Sequence, residues 1–221
     1  MKDYIFIIGP SGVGKTTLAK GLFQHYKGVY FEQNMIPEFG IPADVDEGKY
    51  EEEVLWESSV ELLKYFHNKG IKNIIGLDFN DLRTREIPII FKGTNYITLK
   101  LISSNYEQNK NQMLERGEKG LVDLELLEVS TKKIMNRELL PNEVLIDVAG
   151  KSKEKVLQEA IELIDNYESK IDYEYEEPSK ELFYSWVQSD ELRRWFICQM
   201  KKKVFLKPPL TGWLVFMTTI T

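Results

Sequence analysis

The sequence predicts an α/β protein built on a parallel sheet. Short apolar runs alternate with longer amphipathic stretches over most of the 221 residues. Those runs carry little of the in-out alternation of a half-exposed strand, so each reads as buried on both faces, as strands covered by helices on either side must be. The intervening stretches are long enough to hold a helix, which parallel neighbours require of their connections.

The elements follow in order. Tyr4 to Ile8 form an apolar strand, and Lys15 to about Tyr26 form a helix. Gly28 to Phe31 read as a second strand, followed by a turn-rich stretch with Asn34, Pro37, Gly40 and Pro42. From Lys49 to His67, Val54, Leu55, Leu62, Leu63 and Phe66 recur at helical spacing, and Gly70 supplies the stop. Ile71 to Asp78 make a third strand, a helix is expected near residues 80–91, and Tyr96 to Ile102 make a fourth strand. Two helices, near 105–116 and 122–139, flank the turn from Gly117 to Gly120. Asn142 to Val148 are the fifth strand, and Ser152 caps a final helix reaching Tyr167.

Beyond Tyr167 the alternation stops, dividing the chain into a domain over residues 1–167 and a C-terminal extension over 168–221. Acidic residues from Asp172 to Glu177 end at Pro178, a helix is expected from about Lys180 to Lys203, and the chain closes on the apolar run Leu210 to Ile220. That run is too short to span a bilayer, which takes about 20 helical residues.

Composition narrows the function. Hydrophobic residues make up 43% of the chain, enough for a core, while the net charge of −6 leaves no basic footprint for nucleic acid. The single cysteine, Cys198, lies beside Phe196 and Ile197 and reads as buried. The apolar run after Lys2 is too short for a signal peptide, so the protein is expected to be cytoplasmic.

The chemistry is concentrated after the first strand. Gly9, Gly14, Lys15 and Thr16 fill the pattern G-x-x-x-x-G-K-[ST] between a strand and a helix. Glycines let the backbone wrap a phosphate with its N–H groups inward, and the helix adds its positive end. Gly9, Ser11, Gly12, Val13, Gly14, Lys15, Thr16 and Thr17 are thus the expected nucleotide-phosphate contacts. Lys15 neutralises the β- and γ-phosphates, and the Thr16 hydroxyl coordinates Mg²⁺. Asp78, ending the third strand, is the candidate second metal group, with a helix N-cap as the competing role.

This stretch resembles the P-loop nucleoside triphosphate-binding superfamily. A GTPase is disfavoured, because Asn109-Lys110 lacks the aspartate of the guanine-reading motif and Asp147 to Gly150 follow the fifth strand. The loop itself is similar to that of guanylate kinase, yet no arginine precedes Arg83, where that family carries an arginine-rich acceptor motif.

Over residues 1–167 the pattern looks more like the small-molecule kinases of the adenylate-kinase-like group, such as shikimate, nucleoside and antibiotic kinases. The resemblance implies a three-layer α/β/α P-loop fold with sheet order 2-3-1-4-5, ATP and Mg²⁺ as cofactors, and a lid arginine at Arg116, with Arg137 and Lys119 as further cations. It also implies that the region after the second strand grips a small-molecule acceptor. There the chain has Glu32 and Glu38 in a stretch that faintly resembles deoxynucleoside kinases, which carry a general-base glutamate at that place. Either carboxylate would take a hydroxyl's proton and repel a phosphate, with Arg83 as a supporting cation. The expected reaction is therefore γ-phosphoryl transfer to the hydroxyl of an unphosphorylated small molecule. A nucleoside monophosphate kinase, a P-loop ATPase and a nucleotide-binding regulatory protein are the alternatives.

Overall fold

A computed structural model describes residues 1–45, 47–77, 79, 81–115 and 124–176. Five strands, β1 (Tyr4–Ile8), β2 (Val29–Glu32), β3 (Ile74–Leu77), β4 (Tyr96–Ile102) and β5 (Glu143–Asp147), form one parallel sheet of order β2-β3-β1-β4-β5. Seven helices connect and cover them among the described residues: α1 (Lys15–Tyr26), α2 (Glu47–Asn68), α3 (Asp81–Thr84), α4 (Ile87–Ile90), α5 (Tyr106–Glu115), α6 (Leu124–Asn136) and α7 (Lys153–Asn166).

The pleat of β1 divides its side chains between two cores. Ile5 and Ile7 join Leu18, Ala19 and Leu22 of α1 and Val156, Ala160 and Ile164 of α7 on one face. Tyr4 and Phe6 join Trp56, Val60 and Leu63 of α2 with Ile87 and Phe91 on the other. The second core is aromatic: the rings of Tyr4 and Phe91 meet edge-on at 4.6 Å, and those of Phe6 and Phe91 lie 4.9 Å apart. Each such side chain, fully buried, contributes about 1.5–3 kcal/mol by leaving water, and the ring pairs add about 0.5–1.5 kcal/mol.

Two expected elements differ. The helix expected near residues 80–91 is two short helices separated at Arg85 and Glu86. Pro88 lies at the start of the second, where it needs no donor but disfavours helical continuity from the residue before it. The third strand begins at Ile74 rather than Ile71. Asn73 adopts a left-handed φ of 54° and its side-chain oxygen accepts from the Lys2 N–H at 3.0 Å, which ends the extended conformation.

The segment after α7 straps the edge of the sheet opposite the strand ends. Lys170 exchanges two hydrogen bonds with the Asn142 side chain, both 2.8 Å, and the Ser169 hydroxyl donates to the Tyr96 carbonyl at 2.7 Å. The Gly93 N–H donates to the Ile171 carbonyl at 3.2 Å, while the Tyr173 hydroxyl meets that of Tyr96 at 2.9 Å and donates to the Pro88 carbonyl at 2.5 Å. Residues 168–173, taken from sequence as the start of an extension, are thus hydrogen-bonded to the sheet. The expected helix from Lys180 to Lys203, the apolar run and Cys198 lie outside the described residues.

A chain ending at Tyr167 should therefore melt about 5 °C or more below one ending at Glu176, since it leaves several buried polar groups without partners. Calorimetry of the two chains checks this, and equal midpoints would show that the strap adds nothing to stability.

Candidate functional site

The backbone leaves the central strand β1 at Ile8 and turns at once into the glycine-rich loop. At Gly9, φ is 144° and a Cβ would stand 2.3 Å from the Leu101 carbonyl oxygen of β4, so the loop fits there only without a side chain. Gly12 has φ 83°, and a Cβ on it would stand 2.6 Å from the Met113 Sδ and 2.9 Å from the Asn109 Oδ1, both on α5. Val13 is buried and anchors the loop in the core, whereas Ser11, Thr16 and Thr17 are half-buried or exposed.

The first turn of α1 suits an anion. Its cap, Gly14, offers no side-chain acceptor, and no acidic residue lies in the first turn. The N–H groups that begin a helix have no partner within it, and together with the macrodipole they favour negative charge. The Lys15 ammonium donates to the carbonyls of Gly9 and Pro10 at 3.0 and 3.1 Å, so a cation already sits on the loop. An uncapped helix start, a glycine-rich turn and an adjacent ammonium suit a nucleotide's phosphates. Thr16, in the first turn, offers the hydroxyl that a phosphate-bound Mg²⁺ would take.

The other candidates are distributed unevenly around this loop. Glu32 ends β2 in register with Leu77 of β3, which is itself paired with Ile7 of β1, so it stands at the same edge of the sheet as the loop. It is 9% exposed, and its carboxylate accepts from the Tyr30 hydroxyl and from the Asn34 amide. Glu38 is exposed in the stretch beyond. Arg83 is buried and held by two carboxylates, Glu52 of α2 at 3.7 Å and Glu86 at 2.9 Å, and Glu86 also accepts from the Trp56 indole at 2.9 Å. Arg137 forms a bidentate pair with Glu143 at 2.7 and 2.9 Å, its side chain 5% exposed and that of Glu143 0%, fastening the end of α6 to the start of β5. Asp78, Arg116 and Lys119 lie outside the described residues.

Two residues not singled out from the sequence as site residues belong here. Asp147, ending β5, accepts from the Ser104 and Ala149 N–H groups at 3.0 Å each, tying the loop before α5 to the loop before α7. Burial opposes its ionisation, but these bonds and the nearby Lys151 outweigh it and hold the carboxyl below its usual range. Asn109 is 1% exposed, and neither polar atom of its side chain has a hydrogen-bond partner among the described residues. Its signal in the sequence was an amide one helical turn from Met113, on the face that α5 buries.

No known protein family's sequence profile matches the chain, and no curated protein sequence does. Solved structures do. A sugar kinase from a Janibacter species is 20% identical with a TM-score of 0.55, over 75% of this chain and 95% of its own. A gluconokinase from Sinorhizobium meliloti is 14% identical with a TM-score of 0.55, over 74% and 92%. A thymidylate kinase from Candida albicans is 17% identical with a TM-score of 0.50, over 74% and 91%. At such identities the likeness establishes the fold: a five-stranded parallel sheet of order 2-3-1-4-5, helices on both faces, in the arrangement of P-loop kinases.

Lys15→Ala should leave the thermal midpoint within about 2 °C of the parent, since Lys15 contacts loop carbonyls rather than core. ATP affinity should fall and turnover should be lost. Full activity in that variant would exclude the phosphate-loop reading.

Asp147→Asn tests the tie between the loops. A carboxyl whose folded pKa is depressed stabilises the fold above its unfolded value of about 3.9, and that stability is lost as pH falls through the folded value. The variant should have a lower urea midpoint than the parent at pH 7, and the two should converge as the pH falls through the folded carboxyl's lowered pKa. A gap independent of pH would assign the effect to shape rather than charge.

Proposed function

We propose that this chain is a kinase transferring the γ-phosphoryl group of ATP, with Mg²⁺, to a hydroxyl of an unphosphorylated small molecule. The observation that carries the reading is the contrast between the two sides of the loop. On the nucleotide side stand an uncapped helix start and Lys15. On the acceptor side stand three described carboxylates, Glu32 at the end of β2 and Glu52 and Glu86 around Arg83. A phosphorylated acceptor would meet net negative charge there, whereas a neutral hydroxyl compound or an amine would not.

ATP bound with Mg²⁺ would supply the transferable phosphoryl group and an ADP leaving group. The protein's own groups then position and neutralise, because phosphoryl transfer needs little covalent help. Lys15 would take charge from the phosphates, Thr16 and Asp78 would hold the metal, and Arg116 would serve as the lid cation that the family resemblance implies. Glu32 is favoured over Glu38 as general base: it is buried, ends β2 in register with the strand ends from which the loop leaves, and is oriented by Tyr30 and Asn34. As the hydroxyl oxygen bonds to phosphorus, its proton passes to that carboxylate. Arg83, set between Glu52 and Glu86, acts by holding α2 and α3 around the acceptor. The fold's likeness to a sugar kinase and a gluconokinase agrees with a hydroxyl acceptor.

Acceptor-stimulated ADP release, measured with polyols, sugars and nucleosides against the matching monophosphates, tests the reading. Turnover is expected with a hydroxyl compound, and Glu32→Gln should cut kcat by about 10²-fold or more while sparing ATP affinity. Robust turnover of a nucleoside monophosphate alone would instead make this a nucleoside monophosphate kinase, and hydrolysis that no acceptor stimulates would make it an ATPase.

A further inference from the structure

The buried amide of Asn109 is unexplained by packing. It lies on α5 against Gly12, its Oδ1 2.9 Å from where a Cβ of that glycine would be, with Met113 beside it. It is 1% exposed, yet neither Oδ1 nor Nδ2 has a partner among the described residues. A buried amide without partners destabilises the unliganded fold, and an apolar side chain of the same shape would avoid that cost. Leucine repeats the branched outline of asparagine in a somewhat larger apolar form and would suit the face that Asn109 shares with Met113.

A polar group kept at such a cost finds its partners in another state of the protein, and the neighbour identifies that state. Gly12 belongs to the loop read as wrapping phosphate, so a phosphate is the ligand group that this loop would bring to Asn109. We propose that Asn109 is a nucleotide-binding residue: with a nucleoside di- or triphosphate in the loop, Nδ2 donates to a phosphate oxygen and Oδ1 accepts a loop N–H. Asn109 then joins α5 to the occupied loop, and nucleotide binding fixes that helix, which leads toward Arg116. The inference rests on the nucleotide-phosphate reading of the loop and adds to it a contact from outside the G-x-x-x-x-G-K-[ST] pattern.

Calorimetric titration of the full chain with ADP and Mg²⁺, combined with thermal midpoints without nucleotide, tests it in the parent, Asn109→Leu and Asn109→Asp. Asn109→Leu should raise the unliganded midpoint by about 2 °C or more and weaken ADP about tenfold, the loss of one hydrogen bond to a charged group. Asn109→Asp keeps the shape but places an acid beside the phosphates, and should weaken ADP further. Opposite signs in the leucine variant, with stability up and affinity down, are the result that a merely structural asparagine does not give.

Unchanged ADP affinity in the leucine variant would overturn the inference while leaving the loop assignment standing, and so would a fall in both quantities. If that variant does not fold, Asn109→Asp carries the test, and parental affinity there overturns the inference. A parent chain that binds no ADP would overturn both this inference and the reading of the loop.

Discussion

The loop leaves β1 so close to β4 that a single methyl group on Gly9 would meet the Leu101 carbonyl. That contact ties the site to the sheet. Because β1 lies between β3 and β4 and its side chains are buried on both faces, the strand cannot slide or tilt without disturbing both cores. The position of the glycine-rich loop is therefore set by the packing of the whole domain, and the first turn of α1 is presented where the strand ends, the place at which open parallel sheets generally bind ligands.

The two faces divide the labour. On the α1 and α7 face the core is aliphatic, and Gly21 brings the helices together: a Cβ on it would stand 3.0 Å from Leu157 side-chain carbons. On the α2 face the core is aromatic and runs up to Phe79 and Trp56, whose indole holds Glu86, the partner of Arg83. The carboxylates at this end of the sheet are held by neighbouring side chains, Glu86 by Trp56 and Arg83, Glu52 by Arg83, and Glu32 by Tyr30 and Asn34. That is the physical difference between Glu32, fixed by Tyr30 and Asn34, and the exposed Glu38.

The opposite edge of the sheet has its own fastening. Asp3 binds Lys72 and the Asn95 N–H at 2.9 Å, and the Lys2 ammonium donates to Asn95 at 3.2 Å and Ser169 at 3.1 Å. With the strap from Ser169 to Tyr173, these groups satisfy buried polar atoms where the strands begin. These fastenings lie at the opposite end of the same strands from the glycine-rich loop. Arg137 belongs with the fastenings: its pair with Glu143 and the Lys100 bond to its carbonyl at 2.7 Å close the end of α6.

By itself the sequence determined the alternation of strands and helices, the start of α1 at Lys15, the cap at Ser152, whose hydroxyl accepts from the Lys155 N–H at 3.2 Å, and the glycine-rich turn between β1 and α1. These depend on local causes: apolar runs, glycine spacing and hydrogen bonds within a few residues. The sheet order came from resemblance to P-loop kinases, and the strand pairing bears it out. Only the tertiary structure decided which polar residues meet. Nothing local told Glu32 from Glu38, paired Arg83 with Glu52 or Arg137 with Glu143, or left the Asn109 amide facing Gly12 with no partner among the described residues, because those outcomes depend on burial and on neighbours far away in the chain. The strap was hidden for the same reason. Its residues look polar and solvated one at a time, and become part of the domain only when Asn142, Tyr96 and Pro88 are brought to meet them.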